Sequence, residues 1–227
     1  MKDDTLYKIF HIHHELDLRG KRDTINAPEA QRYFWMFEYL FAVKINTGYL
    51  LDNFDFETGK ISNKGYKSIN RAKEQTAKIL CFLASACQLV GVNSSDVANT
   101  LSRRYGNLVS NIDDAYTILN CKKMYLNTDS NKNECDFKPC KSNKVFTHTL
   151  CLDRMIESVI DRHITWKWFH NFSGVTPKTQ FREVHSIHNL REELITCIDA
   201  LFGIVCLLKM SVRDLFDECN VYGNVPK

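Results

Sequence analysis

Residues 72–97, AKEQTAKILCFLASACQLVGVNSSDV, share one pattern with residues 190–215, LREELITCIDALFGIVCLLKMSVRDL, at an offset of 118 positions. Glu74 aligns with Glu192, Leu83 with Leu201, Leu89 with Leu207 and Val92 with Met210. Each apolar run ends at a polar cap with an acid three residues later, Asn93 with Asp96 and Ser211 with Asp214. That spacing starts a helix, because each polar side chain can satisfy a backbone N–H left free in the first turn. Two helix–cap–helix units of this kind would pack as a pseudo-dimeric four-helix core. The alternative, two unrelated helical hairpins, stays open at this level.

Helical patterning covers most of the chain. Leu6, Ile9, Phe10, His13 and Leu16 fall on one helical face. Pro28 suits the first turn of a long, aromatic-rich helix from Glu29 to about Leu51. A helix follows from about Tyr66 to Val90, then one from Asn93 toward Arg104. Residues 120–145 are polar and basic without apolar periodicity and read as a linker or long loop. Helical pattern resumes at Thr149–Trp168 and Ser186–Met210, and again after Ser211 to about Asn220. Four prolines and nine glycines leave few breaks. The expected fold class is all-α, a single domain over residues 1–227. It holds a structural half at 1–119 and a site-bearing half at 146–227, joined by the loop 120–145.

A net charge of +3 gives no drive toward nucleic acid or a membrane surface, and neither is an expected partner. The apolar stretches Ile79–Val92 and Ile195–Leu208 are too short to span a bilayer. Nine cysteines is an odd count, and Cys81, Cys87, Cys197 and Cys206 sit in apolar helical runs, where they act as small hydrophobes. The N-terminus has no apolar signal core. The expected compartment is therefore the reducing cytoplasm.

The chemistry-bearing stretch is ESVIDRHITWKW, Glu157 to Trp168. Asp153, Glu157 and Asp161 step by four along one helical face and run into Trp166, Lys167 and Trp168. Glu192, Thr196 and Asp199 form a similar stripe on the later helix, with Glu193 beside it. Oxygen ligands from two helices suit Mg2+, with Mn2+ as a second option, and a metal-bound water could attack phosphorus. Asp199 lies within the apolar run CIDALFGIVCLL, where an acid is costly unless paired or coordinated. A solvated acidic face is the plainer reading of the rest. Lys167 could hold a phosphate as a point charge, and the tryptophans could wall a base or clamp a loop on the core. Cys121, Cys135, Cys140, His148 and Cys151 could ligate Zn2+, but they contain no C-x-x-C pair, and zinc is not expected.

ESVIDRHITWKWF followed by NLREELITCIDALFGIVCLLKMSVRDLF resembles the all-α nucleotide pyrophosphohydrolases, the MazG-like superfamily, and among them the dimeric dUTPases. LYKIFHIHHELD looks like their first helix. The resemblance implies a Mg-dependent hydrolysis of a nucleoside triphosphate to the monophosphate and pyrophosphate by a homodimer. It implies metal ligands at Glu157, Asp161, Glu192, Glu193 and Asp199, with Glu157 and Glu193 catalytic. It also implies nucleotide contacts at His13, Asp17, Trp166, Lys167, Trp168 and Asn189. Thr196 stands where that family carries a metal-binding Asp, and His13 and Asp17 stand where it reads the base with Gln and Asn. The alternative is a catalytically decayed member that binds nucleotides or proteins.

Overall fold

The computed structural model describes residues 5–55, 60–61, 68–105, 144–161 and 187–223. Seven helices carry them: α1 (Thr5–Arg19), α2 (Glu29–Leu51), α3 (Ile69–Leu89), α4 (Ser94–Tyr105), α5 (Lys144–Val159), α6 (Ile187–Leu207) and α7 (Val212–Gly223). Extended pairing among the described residues is limited to an isolated antiparallel bridge between Phe54 and Ile61. The all-α expectation holds. Pro28 caps α2 rather than entering its first turn, and its carbonyl accepts from Arg32 N–H at 3.0 Å. Helix α5 begins at Lys144, five residues before Thr149, and its regular part ends at Val159. The expected continuation to Trp168 lies outside the described residues beyond Asp161.

Four helices close a ring, with α2 on α3, α3 on α6, α6 on α5 and α5 on α2. Their shared seam is built from side chains at helical spacing: Leu80 and Leu83 on α3, Ile198, Leu201 and Phe202 on α6, Leu40 on α2, and Leu152 and Ile156 on α5. Burying each such aliphatic or aromatic group contributes roughly 1.5–3 kcal/mol, which is what holds short helices that would be marginal alone. Helix α1 lies across α3 and α7, and α7 packs on α3. The Cys81 and Cys219 sulfurs meet at 3.2 Å in that last contact, both as buried free thiols.

The offset of 118 in the sequence reappears in the helix boundaries. Ile69–Leu89 and Ile187–Leu207 are both 21 residues long and in register at that offset, as are the 12-residue helices Ser94–Tyr105 and Val212–Gly223. The turns agree as well. Val92 N–H bonds back to the Cys87 carbonyl at 2.9 Å, and Met210 N–H to the Val205 carbonyl at 3.1 Å. Gly91 and Lys209 occupy the same left-handed position, with φ of 70° and 55°. The caps are reciprocal boxes in both units. Asn93 N–H donates to Asp96 at 2.9 Å and Asp96 N–H to Asn93 at 3.0 Å, while Ser211 and Asp214 repeat the arrangement at 2.9 and 3.0 Å.

Arg191 fastens the two units together. Its guanidinium donates to the Val90 carbonyl at 2.8 Å and the Gly91 carbonyl at 2.6 Å, so α6 satisfies carbonyls left open at the end of α3. Gly91 takes the positive φ without strain, and a Cβ there would stand 3.1 Å from Arg191 Nη2. Lys73, at the position corresponding to Arg191, points at the start of α7 and comes within 3.9 Å of Asp214. Phe202 is fully buried on the seam, so Phe202→Ala should lower unfolding free energy by about 3–5 kcal/mol in urea titration.

Candidate functional site

Two groups of carboxylates on α5 and α6 are the candidate site, and each already has its own cation. On the α2–α5 side, Lys44 Nζ donates to Asp153 Oδ2 at 2.7 Å and lies 3.6 Å from Glu157 Oε2. Helix α2 delivers Lys44 there because its neighbours Val43 and Thr47 are buried in the ring, which turns position 44 toward α5. Asp161, the third acid of the row, sits exposed just past the end of the regular helix. The row that spacing alone places on one face is therefore divided between a paired part and an exposed part.

On the α4–α6 side, Arg104 from the last turn of α4 covers the stripe on α6. Its Nη2 donates to Thr196 Oγ1 at 2.7 Å and lies 3.8 Å from Glu192, while Nη1 lies 3.7 Å from Asp199. Thr196 also donates to the Glu192 carbonyl one turn back at 2.7 Å, which fixes its rotamer to accept from the guanidinium. The acid that looked costly inside an apolar run, Asp199, is thus compensated by an arginine from another helix. In the first unit Glu74, the counterpart of Glu192, pairs on its own helix with Lys78 at 2.5 Å, and Lys78 corresponds to Thr196.

No group of three metal-ligating side chains forms among the described residues. The acids of α5 and α6 instead carry the charge of Lys44 and Arg104 directly. Glu193, the other expected acid, lies beside Cys197, whose thiol is pushed up to about 12 by burial and then by that carboxylate. Asn189 stands in the first turn of α6. Trp166, Lys167 and Trp168 lie outside the described residues, as do Cys121, Cys135 and Cys140. Cys151, on α5 outside the loop 120–145, is disulfide-bonded.

His13 and Asp17 are buried inside the bundle. The Tyr39 hydroxyl of α2 donates to Asp17 Oδ1. Arg22 lies 5.6 Å from the centre of the Tyr39 ring and 2.9 Å from Glu38 Oε2. Burial raises the Asp17 carboxyl above its ordinary range, opposed by Tyr39, Ser85, Arg22 and His14. Burial lowers His13 to about 4, and its Nε2 has no hydrogen-bond partner among the described residues. Asp17 thus reaches α2 through Tyr39 and α3 through Ser85. The lone cations Lys44, Arg22 and Arg104 were not singled out by spacing, although a lysine within the aromatic run of α2 was a visible signal.

Comparison with family models, with curated proteins and with solved structures finds no match to this chain.

His13 gives a pH test. Its folded pKa lies below the ordinary 6.5, so the unfolded chain gains a proton that the folded one refuses. Stability should fall as pH drops from 6.5 toward 4 and level off below, by about 3 kcal/mol in total. Asp17 acts in the opposite sense, because its raised pKa removes stability as pH rises above 3.8. Urea titrations between pH 7.5 and pH 4 should show the fall in the native chain and a shallower one in His13→Leu. A double-mutant cycle of Arg104→Gln and Asp199→Asn should give a coupling of about 1 kcal/mol, in the range of part-exposed ion pairs.

Proposed function

We propose that this chain is a catalytically decayed protein on a MazG- and dimeric-dUTPase-like pseudo-dimeric core, acting as a protein-interaction module. The repeated boundaries, turns and caps of α3–α4 and α6–α7 support the pseudo-dimeric part. One observation supports the functional part: three acids of the would-be metal frame, Glu157, Glu192 and Asp199, lie within 4 Å of Lys44 or Arg104. Two unit charges 4 Å apart at an effective dielectric near 20 interact by about 4 kcal/mol, so a divalent ion beside one guanidinium meets roughly twice that in repulsion. A metal would have to displace these cations before it could use the carboxylates. Thr196, where the resembled family has a metal-binding Asp, accepts a hydrogen bond from Arg104 instead.

The rival reading, a Mg-dependent nucleoside triphosphate pyrophosphohydrolase, would draw on Glu157, Glu193 and the Trp-Lys-Trp segment. A panel of ribo- and deoxynucleoside triphosphates with Mg2+ or Mn2+, read by pyrophosphate release, separates the two. The expected result is no turnover above background for any base. Metal-dependent release that disappears in Glu193→Gln would overturn the proposal and restore the hydrolase.

A further inference from the structure

Cys81 on α3 and Cys219 on α7 hold their sulfurs 3.2 Å apart, and both are fully buried free thiols. They stand 138 positions apart in the chain. Cys87 on α3 and Cys197 on α6 are buried free thiols too, so burial alone does not set the pair apart. The direct contact of two sulfurs across a helix–helix interface does. A disulfide holds its sulfurs at about 2.05 Å, so an approach of about 1.2 Å would bond this pair. The repeat does not require sulfur here. At the offset of 118 the counterparts of Cys81 and Cys219 are Asp199 and Leu101.

The surroundings give the two sulfurs different parts. The Cys81 thiol donates to the Cys219 sulfur, and the Cys219 thiol donates to the Ala77 carbonyl at 3.8 Å. A thiolate formed at Cys219 therefore keeps a hydrogen bond from Cys81, which stabilises the charge. Burial, and then the Cys219 contact, pushes the Cys81 thiol up, so Cys81 holds its proton. Access favours the same order. Helix α7 has 12 residues and packs on α3 and α1, whereas Cys81 lies in the middle of the 21-residue α3. A local opening of α7 uncovers Cys219 while the rest of the ring stays closed.

We infer that Cys81 and Cys219 are a redox site that a peroxide closes to a disulfide, locking α7 onto α3. A peroxide is small enough to reach a sulfur that a brief opening uncovers. The Cys219 thiolate attacks one peroxide oxygen and the O–O bond breaks. The departing oxygen takes up the proton lost by the thiol and leaves as water, and Cys219 becomes a sulfenic acid. The Cys81 sulfur then attacks the Cys219 sulfur. The S–S bond forms, the S–O bond breaks, and the leaving hydroxide takes the Cys81 proton as a second water. Two thiols and one hydrogen peroxide give one disulfide and two waters. The site does not depend on how the carboxylates of α5 and α6 are read, so a failed pyrophosphate assay and a missing disulfide are separate results.

The test is peptide mapping of the full chain, reduced, freed of reductant and treated while folded with hydrogen peroxide. Remaining thiols are alkylated before digestion. Trypsin releases Cys81 within residues 79–103 and Cys219 within residues 214–227. These two peptides should be recovered joined, and should separate on reduction. Cys87 shares the first peptide, so the map is repeated in Cys87→Ala, which should keep the link, and in Cys81→Ala, which should lose it. Peroxide treatment should raise the melting temperature of the native chain by roughly 4–16 °C, and that rise should be absent from Cys81→Ala. Both sulfurs recovered as alkylated thiols from the treated native chain would overturn the inference, as would Cys219 joined to any other cysteine. A linked chain that melts with the reduced one would overturn the lock.

Discussion

The burial of α3 is the constraint on which the rest of the molecule depends. Four helices cover it, and thirteen of the eighteen residues from Ala72 to Leu89 are buried. A helix so enclosed has few polar positions to spare, and its buried Thr76 hydroxyl bonds back to the Ala72 carbonyl at 2.8 Å. Its length sets the length of the ring, because α2 and α6 must run beside it to exclude water from the seam. The ends of α3 then become places where other elements are fixed. Arg191 closes its C-terminal carbonyls and Gln88 donates to the Phe10 carbonyl at 2.7 Å and so anchors α1, while at mid-helix Cys81 meets Cys219 from α7.

The same packing determines what the acidic residues can do. Carboxylates near a helix bundle need either water, a metal or a fixed cation. Here the bundle supplies cations from neighbouring helices: Lys44 from α2 for Asp153 and Glu157, and Arg104 from α4 for Glu192 and Asp199. In the first unit the corresponding glutamate has its lysine one turn away on the same helix. Each solution neutralises the acid without opening a coordination position. For these acids the balancing charge comes from within the fold.

A second polar feature lies deeper. Asp17, Tyr39, Arg22 and Glu38 link α1, the turn after it and α2. Buried hydrogen bonds of this kind are directional, so they specify how α1 lies across the bundle, where apolar contacts alone would allow sliding. His13 one turn earlier is held neutral by burial and ties that packing to pH.

Local signals made most of the helices legible. The apolar period predicted α1, α2, α3, α6 and α7 within a few residues, since a helix face that enters a core must repeat its hydrophobic side chains. The Asn93–Asp96 and Ser211–Asp214 boxes were readable too, because both partners of each bond lie within four positions of one another. The 118-residue offset likewise belongs to the sequence, and the boundaries of both helix pairs obey it. Partnership between distant residues was not legible. Spacing put Asp153, Glu157 and Asp161 on one face but carried no information that Lys44, 109 positions before Asp153, would reach two of them. Nor did it show that Arg104 would cover Thr196, or that His13 and Asp17 would turn into the bundle. The sequence by itself determined the helices, their caps and their repeat, all of which depend on neighbours along the chain. Only the tertiary structure decided which cation meets Asp153, Glu157, Glu192 and Asp199, because that follows from how the helices pack in space.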